Sequence, residues 1–243
     1  MASRGDLAAV LGDLRSSASA AGLIGADAAA CARALAVDGV AVSVVVGDGL
    51  CELVWSTPGA SRHLEDLQFT LGEGPGPEAA ATCGVVLEPD LTRVRDGRWP
   101  ALLPEAVALG VGAVFCFPLL LGGACIGTLT LQRAAPGPPA DAAVADAWMV
   151  AGALTAVLVE NAGRWPASVE EKESVLYRAV VHQAAGMISV QARVTLAQAL
   201  VRLRAYAFRH GRSVAEVAED VVTRRVHFRI DQDERGASDR WRD

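Results

Sequence analysis

The chain has 243 residues, 52% of them apolar, with 22 Lys+Arg against 28 Asp+Glu and a net charge of −6. This supports one large or two ordinary domains with a substantial core. No run of 18 or more apolar residues appears that would span a bilayer, and the start, Met1-Ala-Ser-Arg-Gly-Asp6, lacks a signal-peptide pattern. The expectation is a soluble cytoplasmic protein that does not enter a membrane.

From about Asp6 to Ala36 the chain reads as helix, with a break near Gly22–Gly25. Val40–Val46 and Cys51–Trp55 are β-rich runs around a Gly47-Asp48-Gly49 turn, which predicts a hairpin. Leu67-Gln-Phe-Thr-Leu71 alternates like a third short strand, and Gly72–Pro77 reads as a loop before a helix from about Glu78. Val85–Leu87 and Ala113–Phe117 read as strands, with helix from Trp99 to Leu109 between them. Leu119–Leu121, Gly122-Gly123 and Ala124–Leu131 form a second hairpin, Pro136–Pro139 a loop, and an Ala-rich helix runs from about Asp141 past Val159. Hairpins with interspersed helices indicate an α+β domain on an antiparallel sheet.

The last third is helical. Ser168-Val-Glu-Glu171, Thr195-Leu-Ala-Gln198 and Ser213-Val-Ala-Glu216 each fit a capping box, in which hydroxyl and carboxyl or amide satisfy first-turn amides. Each opens an amphipathic helix. The apolar faces are Leu176, Val180, Ala184, Met187 and Ile188, then Leu196, Ala199, Leu200, Leu203 and Ala207, then Val214, Val217, Ala218, Val221 and Val222. Gly211 is a natural stop for the second helix. Gly186 lies inside the first, where Gly costs about 1 kcal/mol against Ala; a close helix crossing or a local helix end would justify it. Residues 167–243 carry 13 Lys+Arg against 11 Asp+Glu, about +2, and the remainder 9 against 17, or −8. The asymmetry points the carboxyl-terminal part at an anionic partner.

Arg178-Ala-Val-Val-His-Gln-Ala-Ala-Gly-Met-Ile-Ser189, with Ala199-Leu200, Leu203-Arg204, Ala207, Arg212 and Val217-Ala218, resembles an ANTAR domain over roughly Val175 to Phe228. ANTAR domains are three-helix RNA binders that act as transcription antiterminators, usually as dimers, by stabilising stem-loops that exclude a terminator. The family usually has Lys before the Gly; here it is Ala185, which implies a missing phosphate or base contact. Further up the chain, Leu71-Gly-Glu-Gly-Pro75, Pro89-Asp90-Leu91, Arg98-Trp99-Pro100, Phe117-Pro118-Leu119 and Ile126-Gly127-Thr-Leu129 resemble a GAF domain. GAF domains are sensory modules that bind small molecules, prosthetic groups in some branches, or only a partner domain. The implied organisation is an amino-terminal helix (1–18), a GAF-like sensor (19–160), a linker (161–167), an ANTAR-like helical domain (168–228) and a tail (229–243).

The resemblance implies a non-enzymatic regulator, a homodimer in which a ligand or partner protein at the sensor controls RNA stem-loop binding and antitermination. Arg178, Arg202, Arg204, Arg209 and Arg212 would contact phosphates, and His182, Gln183 and Tyr206 would meet base edges or stack on loop bases. Arg202 and Arg209, seven apart, share one outer helix face, and Arg204 sits at the edge of the apolar stripe, where it would snorkel. Gly72-x-Gly74-x-Gly76 lacks both Rossmann spacing and a Walker Lys, so it reads as a tight turn. Cys31, Cys51, Cys83, Cys116 and Cys125 form no C-x-x-C, the histidines do not cluster, and no cofactor or metal motif appears. Two alternatives stand. One is a helical dimerisation module that has lost RNA binding, which an apolar stripe on a second helix face would favour. The other is a GAF-fold reductase, which needs reactive cysteines converging on a pocket; Gly76, where family members often have Cys, speaks against it.

Overall fold

The computed structural model describes residues 4–20, 26–46, 50–161 and 172–228, and the chain divides into two compact units at 170/171. The predicted break at Gly22–Gly25, the Gly47–Gly49 turn, the Ser168 capping box, nearly all of the linker and the tail lie outside the described residues.

In the first unit, α1 (Arg4–Ala20) and α2 (Ala28–Ala34) precede the hairpin β1 (Gly39–Val46) and β2 (Leu50–Ser56). Then come α3 (Ala60–Leu71), α4 (Pro75–Thr82), β3 (Val86–Glu88), α5 (Leu102–Ala108), the hairpin β4 (Ala113–Leu121) and β5 (Ala124–Arg133), and α6 (Asp141–Glu160). The five strands run in the order β2-β1-β5-β4-β3, every neighbour antiparallel. β3 covers only Val114–Cys116 of β4. Beyond it β4 is an edge, which tolerates Pro118.

Strand alternation divides the sheet into two faces. One packs Val40, Val42, Phe115, Phe117, Leu129 and Leu131 against Leu14 of α1, Cys31 of α2 and Leu154 of α6. By length and composition α6 could cross a bilayer. Yet Ala147, Val150, Ala151, Leu154, Val157 and Leu158 form a stripe buried in this core, as expected of a core helix. The other face carries α3, α4 and α5 over Val114 and Cys116, with Leu64, Trp99 and Leu102.

α3 corrects the strand expected at Leu67–Leu71. Among its buried residues, Ser61, Leu64, Glu65, Gln68 and Phe69 recur with helical spacing. Three are polar, so the stripe is invisible to a hydrophobicity count, and Leu67–Leu71 alone mimics a period of two. The polar groups of Glu65 and Gln68 pair with each other, with the sheet and with α4. Ser43 Oγ donates to Glu65 Oε2 (2.7 Å) and Gln68 Nε2 donates to Glu65 Oε1 (2.8 Å). Gly76 N donates to Gln68 Oε1 (2.7 Å). This chain ties β1 to α3 and to the start of α4.

α4 begins at Pro75, three residues before the expected Glu78, with proline in its first turn. The helix expected from Trp99 starts at Leu102, because Trp99 has φ +52°. Trp99 is buried, and its indole N–H donates to Glu78 Oε2 (3.1 Å). Glu73 Oε1 accepts from Ala101 N (2.6 Å) and Leu102 N (2.9 Å), capping α5 from a distant loop. Arg98 bridges Glu78 and Glu88 and lies 4.1 Å over the Trp99 ring. Asp90 caps the turn that follows it, accepting from Thr92 N (3.0 Å).

The second unit is a three-helix assembly of α7 (Lys172–Ala192), α8 (Leu196–Arg209) and α9 (Val214–Val222), each packed on the other two. The capping boxes at Thr195 and Ser213 are formed in both directions. Gly211, at φ +62°, lies in the turn between α8 and α9.

Replacing Gln68 by Ala strands the buried Gly76 amide and removes one hydrogen bond to Glu65. The expected loss is about 2 kcal/mol of stability, readable by urea unfolding. Replacing exposed Glu105 should change stability by less than about 0.5 kcal/mol.

Candidate nucleic-acid interface

The packing of α7 decides which residues the helical unit offers to a partner. Val181, Ala184, Ala185, Ile188 and Ala192 are buried, together with Ala199, Leu200, Leu203 and Ala207 of α8 and Val214, Val217, Ala218 and Val221 of α9. The inner edge of α7 is therefore rotated from the expected stripe, and Val180 and Met187 are only half-buried. Ala185 is fully buried. The position that the family usually fills with Lys thus has its Cβ inside the helical unit, and a longer side chain would have to bend out past the interface.

Gly186 corrects a second expectation. α7 runs on unbroken to Ala192, and a Cβ added at Gly186 would meet nothing within 4 Å. Neither a close helix crossing nor a helix end explains the glycine. It opens instead onto a groove of about 520 Å³ lined by Gln183, Gly186, Met187, Val190, Gln191, Arg224 and His227. Met187 and Val190 (80% exposed) give it an apolar side. Gln183, Gln191, Arg224 and His227 give it a polar rim. Gln191 Oε1 accepts from Phe228 N (2.9 Å), which holds the segment after α9 against α7.

The residues expected to bind RNA fall into three groups. Gln183 is exposed and lines the groove. Arg202 and Arg209 are exposed on the outer side of α8, as their spacing requires. Those of the others whose side chains are described are engaged within the unit or half-buried. Arg204 is half-buried, and burial pulls its guanidinium below its ordinary pKa. Tyr206 is stacked on His210 with centroids 4.0 Å apart, and Phe228 meets it edge-on at 5.3 Å. Arg212 Nη2 binds Asp220 Oδ2 at 2.8 Å and its Nε lies 4.0 Å from Glu216, so it braces α9. His182 is half-buried, and the Arg178 side chain lies outside the described residues.

Sequence reading missed Gln191, Arg224 and His227. The last two follow α9, some 40 residues from Gly186, and no local pattern joins them to it. The one available signal was the unexplained mid-helix glycine. It also missed Phe208, 82% exposed beside Arg209, and Val201, 61% exposed beside Arg202. With half-buried Ala197 they make an apolar strip along the outer side of α8.

In the first unit, the glycine loop offers no anion cradle. Gly76 N is bonded to Gln68, and a Cβ at Gly74 would lie 2.6 Å from Gln68 Oε1 and 2.7 Å from Leu102 Cδ2. These glycines are needed for close packing, although they join two helices rather than a strand and a helix. Among the described residues, no group of three or more His, Cys, Asp or Glu is placed to hold a metal ion. Cys116 is fully buried beside Thr130, and burial pushes its thiol far up; burial and Asp27 push Cys31 to about 12.

The GAF domain model matches residues 28–159, more than half of the chain, and the ANTAR domain model matches 172–222. The chain belongs to the GAF-domain family and carries an ANTAR domain behind it. The fold is accordingly a GAF-type antiparallel sheet flanked by helices, followed by a helical ANTAR region. It is similar to the GAF domain of a phosphoenolpyruvate-protein phosphotransferase from Acinetobacter (15% identity, 65% of this chain and 96% of that one, TM-score 0.48). The corresponding domain from Coxiella burnetii gives 18% identity, 65% and 95% coverage, and a TM-score of 0.49. The type II free methionine-R-sulfoxide reductase of Thermoplasma acidophilum gives 17% identity, 51% and 80% coverage, and a TM-score of 0.41. No curated protein matches the chain.

The Arg212–Asp220 pair predicts a pH signature. Arg212 holds the Asp220 carboxyl below its ordinary value, with Arg225 3.5 Å away adding to the effect. The stabilisation is complete above the unfolded carboxylate pKa of about 3.9. It is lost as pH falls through the lowered folded value. In Arg212→Ala the Asp220 carboxyl should titrate at higher pH by NMR and Tm at neutral pH should fall.

Proposed function

We propose that this GAF–ANTAR protein is a regulator acting in the cytoplasm, whose helical unit binds stem-loops of nascent transcripts and promotes antitermination under control of the GAF domain. The observation that carries this reading is the groove over Gly186. An unpaired RNA base presents a flat face and a hydrogen-bonding edge. Bare helix backbone at Gly186 with Met187 and Val190 suits the face; the amides of Gln183 and Gln191 suit the edge. Arg224 and His227 stand where the backbone would pass. Arg202 and Arg209 on α8 add positive charge for phosphates.

The strip of Ala197, Val201 and Phe208 supports a homodimer through the helical units, with the arginines beside it. The same strip favours the second reading, a dimerisation module without RNA. For the sensor, a ligand or partner protein at the GAF domain would alter the orientation or pairing of the helical units. That requires different affinities for two states of the protein.

Gly186→Ala should stabilise the helical unit by about 0.5–1 kcal/mol, because the added Cβ meets open space. Gly186→Leu should fold as well and fill the groove, lowering affinity for a stem-loop selected from host transcripts at least tenfold. Unchanged affinity in the Leu variant, with the fold intact, would remove the groove from the interface. Arg202→Ala and Arg209→Ala should each reduce the salt slope of binding by about 0.7. If they leave RNA binding untouched but make the protein monomeric, the dimerisation reading gains.

A further inference from the structure

The sheet face beneath α3, α4 and α5 collects four of the five cysteines. Ser43 points to Glu65 of α3, so by alternation Val45 faces the same way, as does its partner Cys51. Phe117 and Leu119 belong to the opposite core, which places Cys116 and Leu120 of β4 on the α4 side, together with Cys125, the partner of Leu120. Cys83 closes α4 and α4 packs on β5. Cys31 lies in the other core, on α2.

Within this group Cys83 ends α4 and Cys125 lies on β5, the strand on which α4 packs, and the two side chains are close enough to interact electrostatically. Their surroundings differ. Cys83 is exposed and held at φ +51°, ψ +29°, with its Sγ 3.9 Å from Ala80 O. Cys125 is half-buried, and its Sγ donates to Gly127 O at 3.1 Å. A solvent-accessible thiol beside a sheltered one is the arrangement in which the first is oxidised and the second resolves it. Cys116 is enclosed and bonded to Thr130, so it is out of reach of a solvent oxidant.

We propose that Cys83 and Cys125 form a reversible, peroxide-sensitive disulfide that staples the end of α4 to β5. A hydroperoxide accepts two electrons from the Cys83 thiolate, its O–O bond breaks, and Cys83 becomes a sulfenic acid while water or an alcohol departs. The Cys125 thiol then loses its proton and attacks the Cys83 sulfur. The S–O bond breaks, the S–S bond forms and water leaves. In sum, two thiols and one hydroperoxide give one disulfide, one alcohol or water, and one further water. The cross-link closes a loop from Cys83 to Cys125 that includes α5 and the whole of β4, and it fixes the left-handed residue that ends α4. The proposal is independent of RNA binding.

The full-length protein is treated with hydrogen peroxide, blocked with iodoacetamide, digested without reductant and analysed by mass spectrometry. A peptide pair joined through Cys83 and Cys125, two hydrogens lighter than the separate peptides, is expected. Dithiothreitol should dissolve it, and oxidised protein should melt about 5–10 °C higher than reduced protein. Cys125→Ser should leave Cys83 as a dimedone-reactive sulfenic acid, whereas Cys51→Ser and Cys116→Ser should keep the cross-link. The proposal is overturned if Cys83 and Cys125 both remain open to iodoacetamide. It is equally overturned if Cys83 proceeds to sulfinate without cross-linking, or pairs with a different cysteine.

Discussion

The burial of one narrow edge of α7 governs what the helical unit can do. Val181, Ala184, Ala185, Ile188 and Ala192 line that edge, and three of the five are alanines. Small side chains let the flanking helices come close, and interiors tolerate little slack in such contacts. Once this edge is committed to α8 and α9, the opposite side, Gln183, Gly186, Met187 and Val190, must face outward. Ala185, one residue from the groove in sequence, is turned away from it. The departure from the family at this position therefore changes the interior of the unit, and the outward groove is built from other residues.

The first unit shows the converse: sequence motifs that look like ligand chemistry serve the scaffold. Gln68 fills the space beside Gly74 and Gly76, and Glu73 caps α5. Arg98, Glu78, Glu88 and Trp99 hold one another. Such polar networks lock a single arrangement when fully satisfied and lose stability when one member is removed. Sensing, if it passes through this side of the sheet, acts on elements already bound together by polar contacts. A change at α4 would reach the sheet through Gln68, Glu65 and Ser43.

How far the fold could be read from the chain depended on whether the signal was local. The hairpins, the α6 helix and the Thr195 and Ser213 boxes are local patterns of hydroxyl, carboxyl and apolar spacing, and they were legible. α3 was not, because Glu65 and Gln68 occupy core positions that hydrophobic periodicity treats as solvent-facing. The start of α5 was misplaced because the positive φ of Trp99 follows from its tertiary hydrogen bond to Glu78. For the site, the exposure of Arg202 and Arg209 followed from spacing alone. The pairing of Arg212 with Asp220 and the stacking of Tyr206 on His210 depend on how the turn after α8 folds back. Arg224 and His227 meet Gly186 only through the three-helix packing.

In the proposed function, RNA meets the groove over Gly186. Ultraviolet cross-linking of the full-length protein to a stem-loop selected from its host's transcripts, followed by peptide mapping, tests it most directly. Adducts are expected on the segments Gln183–Gln191 and Arg224–Phe228. Specific binding with adducts confined to other segments, or no stem-loop selected by dimeric, folded protein, would contradict it.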